Sequence, residues 1–509
     1  MRVLLIGDDS LLWRSARAAL AARNDLVAVV QTAGAGCHCD LLDLRAAAAA
    51  TAGIDTVVQL VTTTGHPDLE LIDLATRGTY NLLTTATSAQ RYVQVTSLRT
   101  FERYPPEFIV NEHWQPRPTS AAGDLASYLA EVTAREVSRV LPLHAVTLRM
   151  GAVSSGGDTI GTDALHVEDA TAAIIRACEY EPDRDTPRIA TYHIIGSGIG
   201  TRFPVGLAAR APFSFASQHD VTAQRPSQST LAEPTPTLAG VRGGAAHRVV
   251  ILGAGGPLGA AVTALLAPDH TLRLSDVRPL REIADAGVRQ SPGAPLPVVP
   301  GSPHAECACD VTVPEQVLAA CTGTQAIVNC TVIRHDHDQA FRVNTLGAYN
   351  VMRAALATGI RRIVHTGPYQ ARLGHPAGYG ADYDVSDDAP PRPGQQLYIL
   401  TKYLGQEICR IFAEEHGLEV PTLLFSQFVA PGITPREPMG AFPLSVSWTD
   451  AAAAVRLALH TPEFPRPFEV FHINADLPHG RFPNAKAKRL LGWQPRDDLV
   501  AYYTRQEGT

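Results

Sequence analysis

Lysine is almost missing from this chain of 509 residues: Lys402, Lys486 and Lys488 are the only three among 43 basic residues. The arginine and alanine bias around them reads as coding bias, and it makes each surviving lysine informative, because a lysine at any chosen position is improbable. Also missing is any run near the roughly 18 apolar residues of a membrane span. The opening MRVLLIG meets Asp8 and Asp9 at once, too short for a signal peptide's apolar region. The eight cysteines contain no CxxC pair and suggest no disulfide framework. No basic tail or stripe interrupts a net charge of −7, so neither nucleic acid nor a membrane surface is an expected partner. A cytoplasmic, reduced protein is the expectation. At 45% apolar and 18% charged residues, the composition is globular and excludes a wholly disordered chain.

What is present is written twice. MRVLLIG (1–7) returns as HRVVILG (247–253), GTYNLL (78–83) as GAYNVM (347–352), and YVQVTS (92–97) as RIVHTG (362–367). Tyr128 returns as Tyr398, HVEDA (166–170) as SWTDA (447–451), and YHIIG (192–196) as FHINA (471–475). The landmarks keep their order, which reads as a tandem duplication. Within each copy, short β-branched runs alternate with alanine-rich amphipathic stretches, the pattern of a parallel sheet with helices on both faces. In the second copy the expected strands are 248–252, 272–275, 326–330, 362–366 and 421–425, with helices over 258–266, 339–357 and 398–415. The fold expected is α/β: two tandem Rossmann-like, doubly wound domains, 1–200 and 247–509. The Pro-, Ala- and Ser-rich stretch 201–246 reads as a linker between them.

Directly after strand 248–252 comes Gly253-Ala-Gly-Gly256-Pro-Leu-Gly259, opening a helix. Gly253 permits the tight turn, Gly256 lets backbone amides approach a pyrophosphate, and Gly259 lets helix and strand pack closely. The helix amino terminus adds a favourable field for phosphates. The next strand ends at Asp276, whose carboxylate can accept ribose hydroxyls and would repel a 2′-phosphate. NAD is therefore favoured over NADP as cofactor, although Arg278 stands close by. Further on, Tyr398 and Lys402 stand four residues apart and share a helix face. A free phenol has a pKa near 10; neighbouring positive charge favours the phenolate, which can take a proton from a substrate hydroxyl.

With these residues in place, 247–509 resembles the extended short-chain dehydrogenase/reductase family, the NAD-dependent epimerases and dehydratases. The resemblance rests on GxxGxxG at 253–259, Asp276, Asp310, Asn344 in VNTLGAYN, the Tyr398/Lys402 pair and the closing KAKRLLGWQP (486–495). It implies hydride transfer with Tyr398 as acid/base, Lys402 orienting the nicotinamide ribose and lowering the tyrosine pKa, and Asp310 contacting adenine. By its length, RLSD (273–276) and LGAYN (346–350), the second copy is most similar to uronate dehydrogenases. It departs from the pattern twice. Pro368 stands where the family carries a catalytic Ser or Thr, leaving Thr366 or Tyr369 as substitutes, and Ser426 replaces the arginine typical after the fifth strand. Arg334, Arg372 and Arg436 are alternative carboxylate partners or plain surface arginines. His335 and His337 fall where the family lines its substrate pocket, and a solvated loop is an equal reading of them. Only about twenty residues separate Phe428 from Trp448-Thr-Asp450, so a small substrate fits better than a nucleotide-sugar.

The first copy keeps Tyr128, Thr96, Ser97 and Arg149 but has lost the cofactor signature. Ser10 and Trp13 replace two glycines, Asp8 and Asp9 crowd the phosphate position, Gln31 replaces the ribose acid, and Val132 replaces the lysine. It reads as a non-catalytic half. Cys37-His38-Cys39 and Cys307-Ala-Cys309 read as buried structural cysteines, and no metal is expected. The leading expectation is an NAD-dependent oxidoreductase or epimerase acting on a small sugar-like compound; the alternative is a silent NAD-binding sensor or scaffold. Apolar residues at helical spacing in 69–88, 126–140, 339–357 and 398–415 suggest an intramolecular pseudo-dimer of the halves, with further homo-oligomerisation open.

Overall fold

The computed structural model describes residues 1–23, 25–30, 38–156, 164–181, 187–196, 201–219, 247–287, 293–372, 385–430, 444–478 and 482–503. It divides into two compact units, Met1–Leu231 and Ala232–Thr509.

In the first unit, β1 (Arg2–Gly7), β2 (Asp25–Val30), β3 (Thr56–Leu60), β4 (Arg91–Ser97) and β5 (His144–Met150) join a parallel sheet. A short parallel pair, β6 (Ala152–Ser154) and β7 (Ala164–His166), branches off before β8 (Ile189–Ile194) closes the sheet in the order β2-β1-β3-β4-β5-β8. Continuous β-branched runs such as Thr56–Leu60 are buried on both faces, as a sheet between helical layers requires. Val3, Leu5, Val58, Val93 and Val146 form the core beneath Trp13, Ala16 and Leu20 of the helix Leu11–Ala21.

The stretch expected to begin a linker at Thr201 is instead part of this unit as far as residue 219. Phe213 is fully buried, stacks on Tyr192 with ring centroids 4.3 Å apart, and its carbonyl accepts from Arg176 Nε at 2.7 Å. Composition concealed this, because a few phenylalanines among Ala, Ser and Pro leave no periodic signal. Residues 220–246, Gln31 and Cys37 lie outside the described residues.

The second unit contains β9 (Arg248–Leu252), β10 (Thr271–Asp276), β11 (Ala305–Ala308), β12 (Ala326–Asn329), β13 (Arg362–Pro368) and β14 (Val420–Phe425). After the short pair β15 (Gln427–Val429) and β16 (Ser445–Ser447), β17 (Phe468–His472) completes a parallel sheet ordered β11-β10-β9-β12-β13-β14-β17. The order matches the first sheet with one added edge strand, β11. Both are doubly wound α/β sheets, and the strand order reverses between β9 and β12, where such sheets open a crevice at their carboxyl ends.

The helix expected over 339–357 is broken in a telling way. A short helix, His337–Ala340, passes through a π-turn at Phe341–Leu346 into the helix Gly347–Thr358. The first unit carries a π-turn at Leu74–Gly78, before its own helix Thr79–Thr85. Periodicity cannot reveal one inserted residue; packing does. A Cβ on Gly347 would lie 2.8 Å from the Val311 side chain, and one on Gly405 would lie 2.1 Å from the Asn344 carbonyl.

Candidate active site

The glycine turn after β9 is shaped by close approach. Gly253 has φ +80°, and a Cβ there would sit 3.0 Å from the Cys330 and Thr331 backbone across the switch point. A Cβ on Gly259 would stand 2.3 Å from the Gly253 carbonyl oxygen. Gly255, which motif reasoning passed over, is as constrained: its Cβ would meet Asp276 Oδ2 at 2.7 Å. Gly256 is the N-cap of the helix Pro257–Leu266, which has no side-chain cap, so its leading amides remain for an anion. Asp276 accepts from the Gly255 amide at 3.0 Å and from the Val277 amide at 2.8 Å. Burial nonetheless pushes its pKa up, against those bonds and Arg278. A carboxylate offers about four acceptor positions, so the remainder suit the two hydroxyls of a ribose. These features fit a dinucleotide. Asp310, half-buried, accepts from Thr312 N at 2.9 Å as the cap of the following turn.

Tyr398 and Lys402 lie on the helix Leu397–His416. Lys402 is 3% exposed, and its ammonium donates to the Thr331 carbonyl at 3.3 Å. Desolvation lowers its pKa to about 8. Tyr398 sits beside Arg334, whose guanidinium carbon lies 5.2 Å from the ring centroid. Burial raises the Tyr398 pKa, and the charge and hydrogen bond of Arg334 oppose that rise. The cation that the structure places against the phenol ring is Arg334, which the helical spacing did not anticipate. Arg334 comes from the loop after β12, a tertiary approach that helical spacing cannot foretell.

Asn344 has a positioning role. Its amide nitrogen donates to the Ile333 carbonyl at 2.7 Å and to Thr401 Oγ1 at 2.9 Å, while its oxygen accepts from Ile333 N at 3.1 Å. It thereby ties the loop that presents Thr331 and Arg334 to the helix bearing Tyr398 and Lys402. The Thr366 hydroxyl is buried and donates to the Asn329 carbonyl at 2.8 Å. Pro368 ends β13.

Other expected pocket residues part ways. Tyr369 is fully buried and bonds His472 Nδ1 at 3.0 Å inside an aromatic cluster with Phe482, so it does not line an open pocket. Arg372 donates inward to the Ala389 carbonyl at 2.6 Å. His335 is exposed, and His337 leans on Asp338 at 2.8 Å. Ser426 is half-buried and accepts from Gln370 Nε2 at 3.1 Å. Arg436 lies outside the described residues. Cys39 and Cys309 are buried as expected, whereas Cys307 is partly open.

The corresponding corner of the first unit is wired differently. Ser10 caps the helix Leu11–Ala21, its oxygen accepting from the Trp13 amide, so a side chain takes up an amide left open in the second unit. Glu131 pairs with Arg149 in a buried two-point bridge, at 3.0 Å from Nε and 2.8 Å from Nη2, and accepts from Thr96 Oγ1 at 2.6 Å. Two of the polar residues kept from the motif, Thr96 and Arg149, are thus both bonded to Glu131. A cleft of about 230 Å³ remains at the strand ends, lined by Asp8, Ser10, Thr62, Thr96 and Ser97 among others.

Comparison with known proteins agrees with this geometry. Residues 249–460 match the model of the NAD dependent epimerase/dehydratase family. The chain is 24% identical over 221 residues to a uronate dehydrogenase of Pseudomonas syringae pv. tomato, covering 43% of this chain and 71% of that one. It is 26% identical over 275 residues to the L-arabinose 1-dehydrogenase (NAD(P)(+)) of Haloferax volcanii, covering 49% of this chain and 97% of that one. Among solved structures, uronate dehydrogenase from Agrobacterium tumefaciens aligns at a TM-score of 0.41 and 23% identity, over 50% of this chain and 86% of the other. The C-terminal half of the chain therefore carries a domain of the NAD-dependent epimerase/dehydratase family.

Proposed function

We propose that the second unit is an NAD-dependent oxidoreductase or epimerase for a small sugar-like hydroxyl or carbonyl compound, and that the first unit is a non-catalytic duplicate. Bound NAD would supply the hydride acceptor and donor. The open amides of the helix turn that follows Gly256 would hold its pyrophosphate, and Asp276 would accept from the adenosine ribose and disfavour a 2′-phosphate. Tyr398 takes the proton from the substrate hydroxyl in the oxidative direction and returns it in the other. Arg334 favours the phenolate, and it also offers a guanidinium to an acidic substrate group where Ser426 cannot.

One observation carries this reading. Lys402 is a nearly fully buried ammonium with three donors, and among the described residues one is committed, at 3.3 Å, to the Thr331 carbonyl. A structural lysine would not be left so poorly paired in a low-dielectric site; the other donors suit the hydroxyls of a nicotinamide ribose. In the first unit, Val132, the Ser10 cap and the Glu131–Arg149 bridge support a non-catalytic role.

The sensor alternative keeps one specific support: Pro368 supplies no hydroxyl and Thr366 has committed its own to Asn329. Calorimetry on the full chain should give one NAD per chain, with NADP weaker. Uronates and aldoses should then be screened for NADH formation, and Tyr398→Phe should abolish turnover while leaving NAD binding intact. Stoichiometric NAD binding with no turnover across that panel would select the sensor reading. Pairing of the two halves, proposed from the apolar spacing in 126–140 and 398–415, predicts that a 247–509 fragment self-associates in sedimentation.

A further inference from the structure

At the start of the helix Val167–Cys178, three potential metal ligands converge. His166, Glu168 and His219 each bring one ligand atom to within 4.8 Å of the others. His219 Nε2 lies 3.4 Å from Glu168 Oε2, and its Nδ1 lies 3.2 Å from Asp169 Oδ2. The rings of His166 and His219 stack with centroids 3.9 Å apart. We propose that this corner of the first unit binds a divalent transition-metal ion of the zinc class, held by His166, Glu168 and His219.

The same corner of the second unit shows what the fold alone requires. There Ser447 caps the helix Trp448–His460 by accepting from the Asp450 amide at 3.0 Å. Asp450 accepts the amides of Arg496 and Asp497, each at 3.0 Å, anchoring the chain that returns over it. In the first unit Asp169 does the same work: it accepts Gln218 N at 2.9 Å and His219 N at 3.1 Å, and it also bonds the Ser217 hydroxyl. The anchoring carboxylate is thus common to both corners. What differs is that Ser447 and Thr449 give way to His166 and Glu168, and the returning strap brings a histidine.

That exchange has no structural gain. His166 is a poorer cap than serine, its Nδ1 accepting from Glu168 N at a long 3.3 Å. When Nδ1 of His219 is the protonated nitrogen facing Asp169, its Nε2 presents a lone pair towards a carboxylate. Acceptor facing acceptor is unfavourable without a cation between them. Two imidazoles and a carboxylate are a donor set for zinc, with room for water in a further position, and a carboxylate behind one imidazole fixes its tautomer. Coordination needs His166 to turn out of the stack and release its weak cap, a side-chain rotation of a partly exposed residue. The ion would staple the strap 217–219 to the helix.

The test uses the full chain, stripped with chelator and titrated calorimetrically with zinc chloride, with cobalt(II) absorption as a spectroscopic report of coordination. His166→Ser copies the residue of the second unit and so preserves the cap; Glu168→Gln preserves shape. The expected result is one equivalent of zinc lost in His166→Ser/His219→Ala. Each single variant should be weakened by more than the roughly 10- to 100-fold that removing an outer-shell partner costs. Thermal melts of the metal-free proteins should coincide, and added zinc should raise the melting temperature of the wild type but not of the double variant. Unchanged zinc stoichiometry and an unchanged cobalt spectrum in the double variant would place any metal elsewhere, for example on cysteines, and overturn the assignment. So would a wild-type chain that takes up no zinc at micromolar concentration.

Discussion

Lys402→Met should make the cofactor-free protein more stable while destroying its affinity for NAD. The buried ammonium has its pKa lowered from 10.5 to about 8, and at about 1.4 kcal/mol per unit this is a penalty of about 3 kcal/mol for keeping it charged at neutral pH. Against it stands one long hydrogen bond to Thr331 O, which at 3.3 Å contributes about 1 kcal/mol. Methionine fills a similar volume without charge, so the net gain is about 2 kcal/mol, or a rise of roughly 4–8 °C in the melting temperature of a unit this size. The pH dependence gives the sharper check. Between about 8 and 10.5 the unfolded chain binds a proton that the folded lysine does not, so wild-type stability rises with pH through that window. The gap between variant and wild type should therefore be widest below pH 8 and close towards pH 10.5. Urea titrations of both proteins at pH 7, 8.5 and 10 measure it. A variant less stable than wild type at every pH would refute the reasoning, because Lys402 would then be a structural residue held by its bond to Thr331. Stability given up for a charged group at the switch point is the signature of function.

Other outcomes follow from single contacts. Replacing Arg334 with Met removes the cation that opposes the upward shift of Tyr398, so the rising limb of kcat/KM against pH should move to higher pH, with NAD affinity kept; an unmoved limb would show that Arg334 has no hold on the proton carrier. In the first unit, Arg149→Met leaves Glu131 buried without its bidentate partner and should cost about 3–5 kcal/mol in chemical denaturation. NAD binding measured on the folded protein should not change, and a loss of NAD affinity there would mean the first unit contributes to the cofactor site.

The periodicities and motifs of the sequence were enough for the doubly wound α/β architecture, because continuous β-branched runs alternating with amphipathic helices admit few other closures. They also placed the glycine turn after β9, Asp276 at the end of β10, and Tyr398 and Lys402 on one helix, since these positions depend on spacing within one strand, turn or helix. Everything that depends on two distant segments meeting was decided by tertiary structure. Asn344 reads as a catalytic candidate within VNTLGAYN, yet a π-turn sets its amide between Ile333 and Thr401. Tyr369 reads as a pocket residue, yet the return of β17 buries it against His472. Phe213 and His219 read as linker, yet a stacked Tyr192 and the carboxylate of Asp169 draw them onto the first unit. Arg334 reads as either a carboxylate partner or a plain surface arginine, and only the loop after β12 carries it to the Tyr398 ring. Local spacing fixes which face a side chain shares, whereas its electrostatic partner is set by whichever element packs on that face, and no pattern along one segment encodes that.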